Sequence, residues 1–309
     1  MDLHEMLDNH NFVLTEAAII ELLRRSGHIT LHPRLENALL IYDGTGQSAL
    51  TKLYENYIAV AHKGGLPITI CTPTWRANHD RISEARVTND VNGDAVSFLK
   101  RLRNGWKSWA TNIFIGGLIG CKNDCYKPGD GLLVEVAKGF HSWQINHLAK
   151  AGVDFLMAAT LPALPEAVGI ALAMAKTDIP YIISFVISRQ GRTLDGNSLE
   201  YAFGEIDAAC SSPPLGYMIN CAYPSFLNAH KQPESVLGRL IGFQANASSL
   251  DHSELDGAGT LQSNEISDWG NRMIALNRRF GVKILGGCCG TSREHLQYLV
   301  DRVQEEKGI

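Results

Sequence analysis

Ile284-Leu285-Gly286-Gly287-Cys288-Cys289-Gly290-Thr291-Ser292-Arg293-Glu294 is an apolar run that ends in two glycines, two adjacent cysteines and a third glycine. Thr291 and Glu294 have the S/T-x-x-E spacing of a helix start, so the stretch reads as a strand, a tight turn and a helix. Successive side chains on a strand point to opposite faces. Two neighbouring thiols therefore serve one site only where the backbone leaves the extended form, which flanking glycines permit. Two thiolates at a strand end suit a soft metal, and zinc with three protein ligands and one open position is the arrangement of a catalytic site. A third ligand is offered by Gly216-Tyr217-Met218-Ile219-Asn220-Cys221, another short apolar run ending at a cysteine. Cys221, Cys288 and Cys289 thus form a candidate three-thiolate set. The competing reading is that each is a small buried hydrophobe, the usual state of a free cysteine.

Working outward, apolar runs that read as strands end near Asp43, at 67–71, 111–116, 154–158, 181–187, 215–221 and 240–245, and helical stripes such as 52–63, 95–109, 134–151 and 199–210 lie between them. Strand and helix alternate without a break in composition, the rhythm of parallel strands joined by helical crossovers. The expected fold is α/β, a closed (β/α)8 TIM barrel over 37–309, with a short N-terminal helical extension over 1–36 whose helix covers 14–26 and stops at Gly27. Active sites of such barrels gather at the C-terminal ends of the strands. Asp43 with Gly44 and Thr45, Thr160, Asn246 and Gly287 stand at such ends and are candidate substrate contacts. Asp, Asn and Thr there serve equally well as helix caps.

Gly44-Thr45-Gly46-Gln47-Ser48-Ala49 also satisfies G-x-G-x-x-A, the turn that receives a dinucleotide pyrophosphate, and so raises an NAD(P) oxidoreductase as an alternative. Asp43 would set a negative charge beside the phosphates, and the next apolar run closes on Thr72-Pro73 without the acid that holds a ribose. The composition is globular, 45% hydrophobic and 19% charged with a net charge of -4, which excludes a basic face for nucleic acid. The start is neither a signal peptide nor an anchor, and no apolar run approaches the ~18 residues of a membrane span. A soluble cytoplasmic protein is expected. Seven cysteines, an odd count in a long chain, favour reduced thiols, with Cys71, Cys121, Cys125 and Cys210 as packing residues.

The closing GGCCGT block, the apolar strand ending Asn220-Cys221 and the Asp43-Gly44 strand end together resemble the homocysteine S-methyltransferase family, over residues 38–305. The resemblance implies that Cys221, Cys288 and Cys289 bind zinc. It also implies a Glu-Thr pair at the end of strand four, the glutamate holding the amino group of the amino-acid thiol; here Ala159 precedes Thr160. Buried ammonium needs a carboxylate or equivalent acceptors, and Asp43 is the remaining acid.

Methylation of a thiol needs the thiolate, and a free thiol of pKa ~8.5 is mostly protonated at neutral pH. Coordination to zinc removes that limit. The expected activity is zinc-dependent methyl transfer to homocysteine or a related thiol, giving methionine. A chain that closes just after the barrel has no room for cobalamin or folate domains, which favours a free sulfonium donor, S-methylmethionine or S-adenosylmethionine, over methylfolate. Betaine, a corrinoid partner protein and a homo-oligomer stay open. Ala159 keeps a second alternative, a divergent zinc- and thiol-binding barrel with another acceptor or no turnover.

Overall fold

In the computed structural model, which describes residues 2–251, 254 and 262–307, eight parallel strands close into a barrel in the order of the chain, β1 to β8. They are β1 Val13–Thr15, β2 Ile68–Cys71, β3 Ile113–Gly120, β4 Phe155–Leu161, β5 Tyr181–Phe185, β6 Gly216–Ala222, β7 Leu240–Ala245 and β8 Ile284–Gly287. Both faces of these strands are covered, by the barrel interior and by the outer helices, so they read as continuous apolar runs rather than alternating ones. The ring closes where β1 meets β8, with Val13 opposite Ile284 and Leu14 opposite Leu285.

The first strand lies elsewhere than the sequence suggests. Ala38–Tyr42 is a 3-10 turn, and Asp43 is the N-cap of the long helix Gly44–Gly64, its carboxylate accepting from Gly46 N at 2.6 Å. Residues 13–15, expected within an N-terminal helix, form β1 instead, and the helical part of that stripe is only Ile20–Arg25. A boundary at 36/37 would therefore cut β1 from the barrel it closes. Three residues are too few to show a strand's periodicity, whereas Ile41-Tyr42-Asp43-Gly44 imitates a strand end because a capping acid and a glycine also begin helices. The segment that does precede the barrel is the helix Leu3–Asn9, held by an Asp2–Glu5 capping box. Its Leu3, Met6 and Leu7 pack with Val13, Phe114, Phe155, Met157, Ile182, Met218 and Ile284, plugging the barrel's N-terminal end.

Outside the barrel, Tyr54, Tyr57, Ile58 and Ala61 of Gly44–Gly64 face the sheet, and Gly65 ends that helix in the left-handed conformation at φ 62°. The dinucleotide reading fails here, because Gly44 to Ala49 lie inside a helix with no strand leading into them. Among the described residues, no helix is long and apolar enough to cross a membrane.

Candidate metal centre

Cys221 closes β6, and Cys288 and Cys289 follow the last residue of β8. Their three sulfurs lie within 4.8 Å of one another. A tetrahedral zinc with Zn–S of about 2.3 Å spaces its sulfurs about 3.8 Å apart, so the three donors fit such an ion in number, chemistry and reach. Cys221 is buried, Cys288 half-buried and Cys289 exposed, so the set opens toward the C-terminal mouth.

Close packing explains the glycines around the vicinal pair. A Cβ on Gly286 would stand 2.5 Å from the Thr15 carbonyl oxygen, and one on Gly287 would stand 2.0 Å from Thr291 Oγ1. Gly290 takes φ 79°. The turn is pinned from both neighbouring strands. Gly287 N donates to Glu16 O at 3.0 Å, Cys288 N to Ala245 O at 2.8 Å, and Ala247 N to Cys289 O at 2.9 Å. Thr291 does not cap the following helix, which starts at Arg293. Its hydroxyl turns back to Cys288 O at 2.6 Å, and Gly290 N donates to the Glu21 carboxylate.

The thiols share protons unequally. Hydrogen bonds from Cys221 and Cys288 hold the Cys289 thiol well below the usual range. Cys221 is pushed up by donating to the other two sulfurs and by burial. Cys288 is raised by its bond to Cys289 and by burial, against the opposing bond from Cys221. The cluster thus sheds one proton readily and keeps the others. Only a bound cation makes three thiolates at this spacing compatible.

Asn220 organises the inner side of the centre. It is 4% exposed. Its Oδ1 accepts from Thr160 N at 2.9 Å and Ser184 Oγ at 2.7 Å, while Nδ2 donates to Thr160 Oγ1 at 2.6 Å and Cys221 Sγ at 3.3 Å. Thr160 and Cys221 both have positive φ, 60° and 52°. The strand register slips between Ala158 and Leu161 and again between Asn220 and Ala222. A β-branched residue at positive φ is a real outlier, and strain of that kind persists where the surroundings over-determine it. Here the bulges let Asn220 and the next residue, Cys221, serve one site, which an ordinary strand forbids. Thr160 Oγ1 is 4.0 Å from Cys221 Sγ.

The other expected contacts separate. Asp43, Gly44 and Thr45 are exposed at the start of a helix, and Gly287 is buried against Thr291. Asn246 is buried beyond β7, its N donating to Ala222 O at 3.0 Å, and its Oδ1 has no hydrogen-bond partner. Ala159 is buried, and its carbonyl accepts from the Trp75 indole at 3.3 Å. One face of Trp75 is covered by Arg76, whose guanidinium carbon sits 3.9 Å from the ring centroid. Sequence reasoning missed Glu16, the residue after β1. It is 7% exposed, accepts from Cys71 N at 2.7 Å, and burial pushes its carboxyl up to about 8. Locating β1 would have revealed it as the strand-end acid. Also missed is the segment after β3, where Cys125 and Tyr126 come near the sulfurs. Burial, then Cys221, Cys289, Cys125 and Cys288, push the Tyr126 phenol well up.

No curated protein sequence matches this chain. Among solved structures, the metallated form of the homocysteine methyltransferase MmuM from Escherichia coli superposes with a TM-score of 0.73 at 18% identity, covering 97% of this chain and 99% of that one. Its oxidized form gives the same figures, 0.73, 18%, 97% and 99%. The apo form gives 0.65 at 17% identity, with 96% and 97% covered. At such identities the likeness concerns the fold. The pattern of the homocysteine S-methyltransferase family, however, matches residues 5–303, taking in β1 and extending well before residue 38. The chain belongs to the homocysteine S-methyltransferase family and is a methyltransferase.

Proposed function

We propose that this protein is a zinc-dependent methyltransferase that moves a methyl group from a small sulfonium donor, S-methylmethionine or S-adenosylmethionine, to the thiol of homocysteine or a related acceptor. The observation that carries this reading is the meeting of three sulfurs from β6 and β8, within 4.8 Å, at the open end of the barrel. Cys221, Cys288 and Cys289 would hold the ion. When bound there, zinc supplies the Lewis acidity that lets an acceptor thiol lose its proton at neutral pH while its sulfur stays nucleophilic.

The chain's own residues supply position and charge. Asn220 and Thr160 fix the Cys221 sulfur from below, and the backbone of β7 fixes Cys288 and Cys289 from the side. Asp43, spent on its helix cap, is replaced in our assignment by Glu16, a buried carboxylate with one backbone partner that makes no ion pair among the described residues. An acceptor's ammonium would lower its pKa and be desolvated at less cost. The unpartnered Oδ1 of Asn246 is a second acceptor of hydrogen bonds, in place of the side chain that Ala159 lacks. A thiolate metal centre of this kind also suits a reducing cytoplasm.

The direct test is metal analysis of purified wild type and Cys289→Ser, with turnover of homocysteine against S-methylmethionine, S-adenosylmethionine and betaine. Zinc in stoichiometric amount and sulfonium-dependent methionine formation are expected for the wild type, with both lost in the variant. A variant that kept both would remove the proposed chemistry.

A further inference from the structure

The residues after β3, 121–132, run to the helix Val134–Lys150 and are held by buried groups at both ends. Glu166, on the helix Leu164–Met174, is 1% exposed. Its Oε1 accepts from Lys122 N at 2.8 Å, and its Oε2 from Leu132 N at 3.3 Å. Nε2 of His141, itself 0% exposed, lies 2.9 Å from the same Oε1. Burial opposes ionisation of this carboxyl, yet the bonds from His141, Lys122 and Leu132 hold it below its ordinary value. Arg76 adds a third grip, its Nη1 donating to Cys121 O at 2.8 Å and Asn123 O at 2.7 Å. Within the loop Asn123 Nδ2 donates to Asp130 O at 2.7 Å.

Between the two ends clasped by Glu166 lie Cys125, buried, and Tyr126, half-buried. Both feel the metal centre. Burial is the main cause that pushes the Cys125 thiol up to about 12, with Cys289 among the charges that add to it, and Tyr126 responds to all three candidate ligands. A loop that needed only to connect β3 to its helix would run over the surface with its amides in water. This one has both ends bound to a single desolvated carboxylate, and its middle set beside the sulfurs.

We propose that Glu166 is a positioning residue for methyl transfer. By clasping Lys122 and Leu132 it holds the 121–132 loop closed beside the three-thiol centre, so that Cys125 and Tyr126 form one wall of the pocket that receives the acceptor thiol. Glu166 itself touches no substrate. The inference rests on the function proposed above and adds a part to that site.

The test is Glu166→Gln in zinc-loaded protein. One amide oxygen cannot replace two carboxylate oxygens, and the amide NH2 must face a backbone N–H at one end of the loop. The expected result is unchanged zinc stoichiometry, an acceptor KM raised about tenfold with kcat nearly constant, as for loss of one hydrogen bond to a charged group. Backbone amide exchange over 121–132 and alkylation of Cys125 should quicken by a similar factor. Unchanged exchange and alkylation would show that the carboxylate clasps nothing. Faster exchange with an unaltered acceptor KM would show that the closed loop is irrelevant to the acceptor. Should Glu166→Gln fail to fold, Tyr126→Ala alters the wall without touching the clasp, and an acceptor KM equal to wild type would overturn the proposal. Wild type that binds zinc but methylates no thiol would instead refute the proposed function and with it the clasp's catalytic role, while exchange in Glu166→Gln would still decide whether the clasp exists.

Discussion

Replacing Asn220 by alanine separates the metal centre from its support. The substitution leaves the buried Thr160 N–H and the fully buried Ser184 hydroxyl without the acceptor they share. At about 1–3 kcal/mol for each orphaned donor the gross loss is roughly 2–6 kcal/mol. Relaxation of Thr160 or Cys221 out of positive φ returns about 1–3 kcal/mol. A net loss of about 3 kcal/mol is expected, measured by denaturant unfolding of metal-free protein. Asn220 also fixes a ligand through its 3.3 Å bond to Cys221 Sγ, so zinc affinity, read by competition with a chromogenic chelator, should fall about 10–100-fold. Ser184→Ala is the control. It removes one bond to Asn220 and leaves the amide in place, costing about 1 kcal/mol with zinc affinity little changed. If Asn220→Ala bound zinc as tightly as wild type, or Ser184→Ala weakened it equally, the claim that the amide positions the sulfur would be wrong.

Other expectations follow from particular contacts. Gly287→Ala drives a Cβ into the hydroxyl that braces Cys288 O, and should lower the unfolding midpoint by the equivalent of about 1–3 kcal/mol; Thr291→Ala in the same chain should restore only part, since the Thr291 Cβ is itself 2.6 Å from the new atom. Glu16, with its carboxyl raised from 4.5 to about 8, binds more protons folded than unfolded between those values. Its contribution to stability is therefore complete below about pH 4.5 and lost as pH rises through about 8. Glu16→Gln should flatten that slope and unfold at higher denaturant than wild type at pH 8.5, while raising the acceptor KM; equal slopes in the two proteins would contradict the burial argument. Stripping the metal with a chelator should lower the thermal midpoint and quicken alkylation of Cys288 and Cys289, and zinc should reverse both.

Seven of the eight strands were legible because β2 to β8 are apolar runs between helical stripes, and the thiol set was legible because two vicinal cysteines flanked by glycines have few other uses. β1 was not, since Val13-Leu14-Thr15 is too short to declare itself beside the Ala18, Ile19, Leu22 and Leu23 stripe. Losing β1 also concealed Glu16 and gave Asp43 a role that its helix cap does not support. The polar web at Asn220 was hidden for another reason. Positive φ at Thr160 and Cys221 is imposed by tertiary contacts and has no residue signature, as it would have at glycine. Glu166 reads in sequence as one acid near the start of a helix, and its three partners come from two other segments.

The seam between β1 and β8 has a consequence for biosynthesis. The earliest strand to leave the ribosome pairs with the last one, through Leu14 beside Leu285, and the vicinal cysteines follow directly behind that final strand. Nascent chains therefore carry Cys221 for some time with no partners for an ion, so metal capture is postponed until the ring can shut. Loading with zinc is then a check on finished synthesis, and a polypeptide stalled short of β8 should present exposed sheet edges to chaperones and proteases.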